Sequence, residues 1–104
     1  MSDIDTWAHL YGRVALSEPK KAADLLEKAG WKFRKAGFDE FDARGLEYEI
    51  YIEGSLPVLI HGPALDPLAT AKKLEVVFRD AGIRYLFELY DSNRNLLSVI
   101  TDEK

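Results

Sequence analysis

The sequence contains no cysteine, and this absence removes three kinds of chemistry at once. A disulfide framework, a thiol nucleophile and a thiolate metal site all need sulfur as the reactive or ligating atom. Histidine is also scarce, because His9 and His61 are the only two, so one chain cannot supply a three-histidine metal site. We therefore expect no metal site and no cofactor.

The sequence also lacks the short motifs that carry common catalytic and nucleotide-binding chemistry. It has no G-x-x-x-x-G-K-[ST] loop, no G-x-G-x-x-G fingerprint and no G-x-S-x-G elbow. Neighbouring carboxylates such as Glu47 and Glu49 share one exposed setting, whereas acid and base catalysis needs two groups in different environments. The sequence predicts no catalytic residue, and the interpretation leans away from an enzyme.

Long hydrophobic runs are missing as well. No apolar stretch approaches the roughly 20 residues that cross a bilayer. Residues 1–5 are acidic and polar, whereas an export signal begins with a basic segment and continues with an apolar one. With 47% hydrophobic and 31% charged residues, the composition is typical of a soluble globular protein. We expect a cytoplasmic protein that does not contact membranes.

What the sequence does contain is a repetition. A helix-like pattern that ends in glycine and leads into a strand pattern occurs at residues 22–33 and again at residues 73–85. The 104 residues therefore predict one domain, residues 1–104, built from two pseudo-repeats at about 8–53 and 56–101.

Two helices are predicted from their start and stop signals. The first begins with Ser17 as the capping residue and Pro19 in the first turn, and it ends at Gly30. The second begins at Asp66, which precedes a proline at the first helical position, and it ends at Gly82. Each helix carries an apolar stripe that predicts burial against a sheet.

Six strands are predicted from alternating apolar residues, at about 8–16, from 31, 46–53, 56–61, 83–90 and 95–100. The alternation changes phase at Gly37, which indicates a bulge or a break in the second strand. Gly54 and Ser55 suggest a two-residue hairpin turn. The strand at 56–61 is apolar on both faces, which favours an interior position, and His61 is its last residue.

These elements predict an α+β fold, a two-layer α/β sandwich with a mainly antiparallel sheet of about six strands. The predicted order is β-α-β-β-β-α-β-β, with both helices on one face. At the level of architecture this resembles the ferredoxin-like class of sandwich. The resemblance carries no functional implication, because one fold serves many functions.

The predicted layout leaves one face of the sheet open. If the helices cover the face that bears Leu10, Val14, Ile50 and Tyr85, the opposite face collects tyrosine, arginine and glutamate side chains. Tyrosine and arginine are enriched at protein interfaces. Alternatively, cross-strand pairs of these residues simply stabilise an exposed sheet. The residues proposed for an interface are Tyr11, Arg13, Glu47, Glu49, Tyr51, Arg84, Glu88 and Tyr90.

Charge narrows the choice of partner. The net charge is −4, and residues 39–53 hold six carboxylates and one arginine, a local charge of −5. Such a segment repels phosphate, so nucleic acid is not expected as a partner. It would steer a basic protein towards it, although the same pattern also occurs on solvated strands.

Two functional hypotheses follow. The first is a small acidic interaction module, of an inhibitor, immunity or regulatory type. It would bind another protein, or its own copy, through the open face or the acidic hairpin at residues 39–53. The alternative is a small-molecule-binding domain or minor enzyme with a pocket at His61 and Asp66, near the N-terminus of the second helix.

Overall fold

The computed structural model describes residues 7–102, which form two α-helices and a seven-stranded sheet. Residues 1–5, which we expected not to be an export signal, lie outside the described residues. The expected α+β class is confirmed. The elements are β1 Ala8–Val14, α1 Pro19–Lys28, β2 Arg34–Gly37, β3 Glu40–Arg44, β4 Glu49–Glu53, β5 Val58–Ala64, α2 Pro67–Asp80, β6 Tyr85–Tyr90 and β7 Leu96–Thr101.

The strands lie in the order β2-β3-β4-β5-β1-β6-β7, and every neighbouring pair is antiparallel. The strands β1 and β5 form the centre, where Tyr11 lies opposite His61. The expected count of about six strands and the ferredoxin-like order are not confirmed, since the described chain forms seven strands.

The strand that the sequence analysis missed is β3. It forms a hairpin with β2, in which Gly37 pairs with Glu40 across Phe38 and Asp39. Asp39 has a φ of 54°, a left-handed conformation that aspartate tolerates in turns. The change of phase at Gly37 is therefore a reversal of the chain, although the register also shifts between Lys35 and Gly37.

The helix ends follow most of the predicted signals. In α2 the Asp66 carboxylate accepts a hydrogen bond from the Ala69 N–H at 3.1 Å, so this cap is confirmed. In α1 the capping position is Glu18 rather than Ser17, and its side chain makes no cap hydrogen bond. Gly30 and Gly82 follow the two helices with φ values of 104° and 72°, as their predicted role as stops requires.

Both helices pack on the same face of the sheet, where their buried side chains join one apolar core. The helix α1 lies over β3, β4 and β5, whereas α2 lies over β1, β6 and β7. Among the described residues, neither helix is long and apolar enough to cross a bilayer. The prediction that the helices cover Leu10, Val14, Ile50 and Tyr85 is confirmed, because all four are buried.

The strand β5 is interior, as expected, but it continues past His61 to Ala64. Pro63 lies opposite His9 on β1. On the β4 side, the continuous ladder stops where Tyr51 pairs with His61, so the proline does not need to donate to β4. The connection before β5 spans residues 54–57 rather than the expected two. His61 is therefore a residue of the middle of a strand.

A glycine near the sheet centre makes room for the largest core ring. Gly12 lies opposite Phe87 in the β1–β6 ladder, and Phe87 is fully buried. A Cβ atom on residue 12 would overlap the Phe87 ring, so any larger residue forces that ring to move.

We predict that Gly12→Ala destabilises the protein by about 1–3 kcal/mol, because overpacking a core costs this much. Strand propensity alone would favour alanine by roughly 0.5–1 kcal/mol. The sign of the change in the free energy of unfolding therefore shows whether overpacking or strand propensity dominates. Urea unfolding measures it. Combining Gly12→Ala with Phe87→Leu should cost less than the sum of the single changes, and additive costs would contradict the predicted contact.

Candidate functional site: the open face of the sheet

The face of the sheet turned away from the helices, here called the outer face, carries a row of side chains that crosses every strand. Register places these residues as successive cross-strand neighbours from β2 to β7. They alternate with the buried residues of the core, as the period of two requires. The row consists of Arg34, Asp42, Tyr51, His61, Tyr11, Glu88 and Val99.

Four rings in the middle of this face contact one another. His61 stacks between Tyr51 and Tyr11, with ring centroids 5.8 Å and 6.2 Å apart. Tyr11 meets Tyr90 edge to face at 5.6 Å. Such separations are favourable for aromatic pairs. We call Tyr51, His61, Tyr11 and Tyr90 the aromatic row.

Carboxylates hold the polar tips of the aromatic row. The Tyr51 hydroxyl donates to Glu49 at 2.6 Å, and the Tyr90 hydroxyl donates to Glu88 at 3.2 Å. Glu53 Oε2 lies 3.4 Å from His61 Nε2. Three of the four rings therefore have a polar anchor, which limits their rotation.

The same contacts affect proton affinity. The hydrogen bond to Glu49 and, secondly, burial raise the pKa of Tyr51. Burial and then the Glu88 charge raise the pKa of Tyr90. Both phenols therefore stay protonated at neutral pH, and each acts as a hydrogen-bond donor to its glutamate.

The side of the outer face formed by β2, β3 and β4 contains two ion pairs. Asp42 is only 4% exposed, and it accepts from Arg34 Nε at 2.7 Å. This hydrogen bond raises the pKa of Arg34. Arg44 lies 3.1 Å from Glu49 across the β3–β4 pair. Of the six carboxylates in residues 39–53, Asp42 and Glu49 each pair with an arginine. Since Arg44 is already included in the count of −5, only Arg34 adds a positive charge, and this side of the face stays acidic.

The other side of the outer face, over β5, β1, β6 and β7, is more apolar. Leu59, Leu86 and Val99 lie there with Tyr11. Of these four residues, Tyr11, Leu59 and Val99 are exposed. A concavity of about 300 Å³ opens between the side chains. Its lining consists of Tyr11, Gly12, Arg13, Leu59, His61, Leu86 and Glu88.

Most of the interface residues proposed from the sequence lie together on the outer face. The exception is Glu47, which lies in the β3–β4 connection, where its carbonyl accepts from the Leu65 N–H at 2.7 Å. Arg84 precedes β6, with its Nε 3.6 Å from Asp102, and it lines a second concavity together with Arg13 and Leu86. The residues that lie together are Tyr11, Arg13, Glu49, Tyr51, Arg84, Glu88 and Tyr90.

The structure separates the two residues of the alternative ligand site. His61 belongs to the outer face with Tyr11 and Tyr51, whereas Asp66 caps α2 on the opposite side of the sheet. The concavity at His61 is therefore formed by strands, and the helix N-terminus does not contribute to its lining.

Several residues of the face escaped the sequence analysis. Leu59 was assigned to an interior strand that is apolar on both faces, and Asp42 was counted only as one of the six carboxylates of residues 39–53. The available signal for Leu59 was the alternation of β5, whose outward residues Leu59, His61 and Pro63 separate fully buried neighbours. For Asp42 the signal was Arg34, but it becomes visible only when the β2–β3 hairpin is known.

Within residues 7–102, no group of three or more histidine, aspartate or glutamate side chains is placed to hold a metal ion. Comparison of the chain with protein-family models, with curated proteins and with solved structures gives no match. The candidate site therefore rests on its geometry.

We predict that Glu49→Gln lowers the pKa of Tyr51 towards its ordinary value of 10.0, because the substitution replaces the carboxylate that accepts the Tyr51 hydrogen bond by a weaker, neutral acceptor. An NMR titration of the tyrosine ring measures this pKa. Glu47→Gln is the matched control, since Glu47 lies in the β3–β4 connection and should leave Tyr51 unchanged. Equal Tyr51 titration curves in the two variants would contradict the assigned hydrogen bond.

Proposed function

We propose that this chain is a protein-binding domain that docks its partner on the outer face. The observation that carries the proposal is an uncovered sheet face with oriented aromatic side chains at its centre. Neither helix covers this face, because both pack into the core on the other side. Rings with a fixed orientation offer a large contact area at low entropic cost, which suits an interface centre.

The half of the outer face over β5, β1, β6 and β7, here called the apolar half, would supply the anchor of the complex. Tyr11 and Leu59 are 47% and 41% exposed, and they border the concavity of about 300 Å³. Burial of such side chains contributes roughly 25 cal/mol per Å² of apolar surface. A side chain of the partner that enters the concavity would displace water from both residues.

The half of the outer face over β2, β3 and β4, here called the acidic half, would set the orientation of the partner. Glu53 retains a side-chain exposure of 44% beside His61, and the whole chain has a net charge of −4. Complementary charges at the rim of an interface mainly raise the association rate. We therefore propose a partner that presents lysine or arginine next to an apolar group.

An inhibitor, immunity or regulatory role in the cytoplasm fits this chemistry. A small acidic domain with a rigid aromatic centre would occupy a basic cleft of another protein and exclude its substrate.

We predict that Leu59→Glu lowers capture of the partner from a lysate of the native host at least tenfold, or about 1.4 kcal/mol. The new charge would be buried against the partner without compensation. Leu68→Glu on α2 is the matched control, because Leu68 is 44% exposed and lies away from the outer face. Quantitative mass spectrometry of the captured protein measures the difference, and equal losses in both variants would contradict docking on the outer face.

A pair of charge reversals tests the acidic half in the same assay. Glu53→Lys should weaken capture more than Glu47→Lys, because Glu53 belongs to the outer face and Glu47 to the β3–β4 connection. The difference should shrink at high salt. If Glu47→Lys has the larger effect, the partner docks at the β3–β4 connection instead of the outer face.

The concavity itself favours a second candidate function, the binding of a small molecule. Its volume of about 300 Å³ is at the lower end of the usual range for ligand pockets. Arg13, His61 and Glu88 supply polar groups around an apolar wall of Leu59 and Leu86. This combination would suit a small aromatic compound that carries a polar substituent.

A fragment screen by NMR tests this candidate. If the concavity binds small molecules, aromatic fragments at 1 mM should shift the methyl signals of Leu59 and Leu86 and leave that of Leu68 in place. His61→Ala should reduce these shifts. A screen in which no fragment moves the Leu59 signal would remove the small-molecule function and leave the protein-binding proposal untouched.

A further inference from the structure

The described sheet ends in two edges of very different character. The edge at β7 has the sequence Leu-Leu-Ser-Val-Ile-Thr, without charge or proline. Leu96, Leu97 and Val99 are 54%, 58% and 45% exposed. An exposed apolar edge strand is a template for another strand, and proteins usually protect it.

The opposite edge, β2, is protected in the ways that are common for edge strands. It has four residues, it carries Arg34 and Lys35, and its register is irregular before Gly37. The strand β7 also has an irregularity opposite Leu89 and Tyr90, but four consecutive residues, Ser98 to Thr101, remain in regular register with β6. Only one of the two edges is therefore suited to extend the sheet.

The hydrogen-bond pattern shows which groups of β7 point outward. The Asp102 N–H donates to the Tyr85 carbonyl, and the Tyr85 N–H donates to the Asp102 carboxylate, so Asp102 occupies a hydrogen-bonded position of the β6–β7 ladder. Hydrogen-bonded pairs alternate with non-hydrogen-bonded pairs along an antiparallel ladder. Val99, which lies opposite Glu88, is therefore in a non-hydrogen-bonded pair and turns its N–H and C=O towards the edge.

We propose that β7 pairs antiparallel with β7 of a second copy of this chain. The composition of the strand favours this occupant, because β7 carries no charged residue, so two antiparallel copies place no like charges opposite each other. Asp102, which follows β7, is engaged within its own chain by Arg84 and by the Tyr85 N–H. The same edge is present on both copies, so a twofold axis satisfies both at once.

The protected β2 edge limits the assembly to two copies. A strand edge of six residues is about 20 Å long, and edge pairing alone buries less surface than the roughly 800 Å² per partner of a stable interface. The dimer should therefore dissociate in the micromolar range. Its formation is independent of the protein-binding proposal, since it uses main-chain groups of the edge.

Sedimentation equilibrium from 10 µM to 1 mM tests the proposal. The average mass should rise with concentration from 11.8 kDa towards twice that value. Val99→Pro removes only an outward N–H, so it should abolish the rise while the circular dichroism spectrum stays unchanged. Val99→Lys should act in the same way, whereas Val76→Lys on α2 should not, although both valines are 45% exposed.

Engineered cysteines locate the contact, because the natural sequence contains none. A twofold axis places one residue of β7 opposite its own copy, with a Cα separation of about 5 Å that a disulfide can span. Under oxidation, Ser98→Cys, Val99→Cys or Ile100→Cys should give covalent dimers, and Lys35→Cys on β2 should not. A mass of 11.8 kDa at 1 mM, or association that persists in Val99→Pro, would overturn the proposal.

Discussion

The structure depends on a core that lies on one side of the sheet only. Both helices pack against the same face, and each strand turns its apolar residues towards them. The side chains between those residues must then be stabilised across the sheet, because no second layer of the described chain covers them. The contact of Arg34 with Asp42 and the stacking of His61 between two tyrosines are consequences of this arrangement.

The order of the strands then divides the outer face. Strands β2, β3 and β4 bring charged side chains together, and two ion pairs compensate part of the charge. Strands β5, β1, β6 and β7 bring leucine, valine and tyrosine together around Arg13 and Glu88. The aromatic row lies across the boundary. A partner that covers the whole face therefore meets an apolar surface and an acidic one in a fixed relative position.

Period-two alternation was enough to predict the two faces, because it depends only on neighbouring residues. The failures involve the points where the chain reverses or pairs. The predicted bulge or break at Gly37 matches the register shift between Lys35 and Gly37, but the reversal at Phe38 and Asp39 was not predicted. Gly62 and Pro63 were read as the end of a strand, yet β5 continues because β4 does not require a donor there. The ion pair of Asp42 was missed for the same reason, because Arg34 lies outside residues 39–53 and only the hairpin brings it to Asp42.

The strand order also relates the two proposed contacts. The strand β7 borders the apolar half of the outer face, and β2 borders the charged half. Pairing of two β7 strands would continue the sheet, so the apolar halves of two copies would become neighbours while the charged halves lie at the far ends. The docking surface would then be a single apolar strip with an acidic region at each end. Because the paired groups belong to the backbone edge and the docking groups to the outer face, neither contact excludes the other, and a dimer would present two copies of the docking surface to its partner.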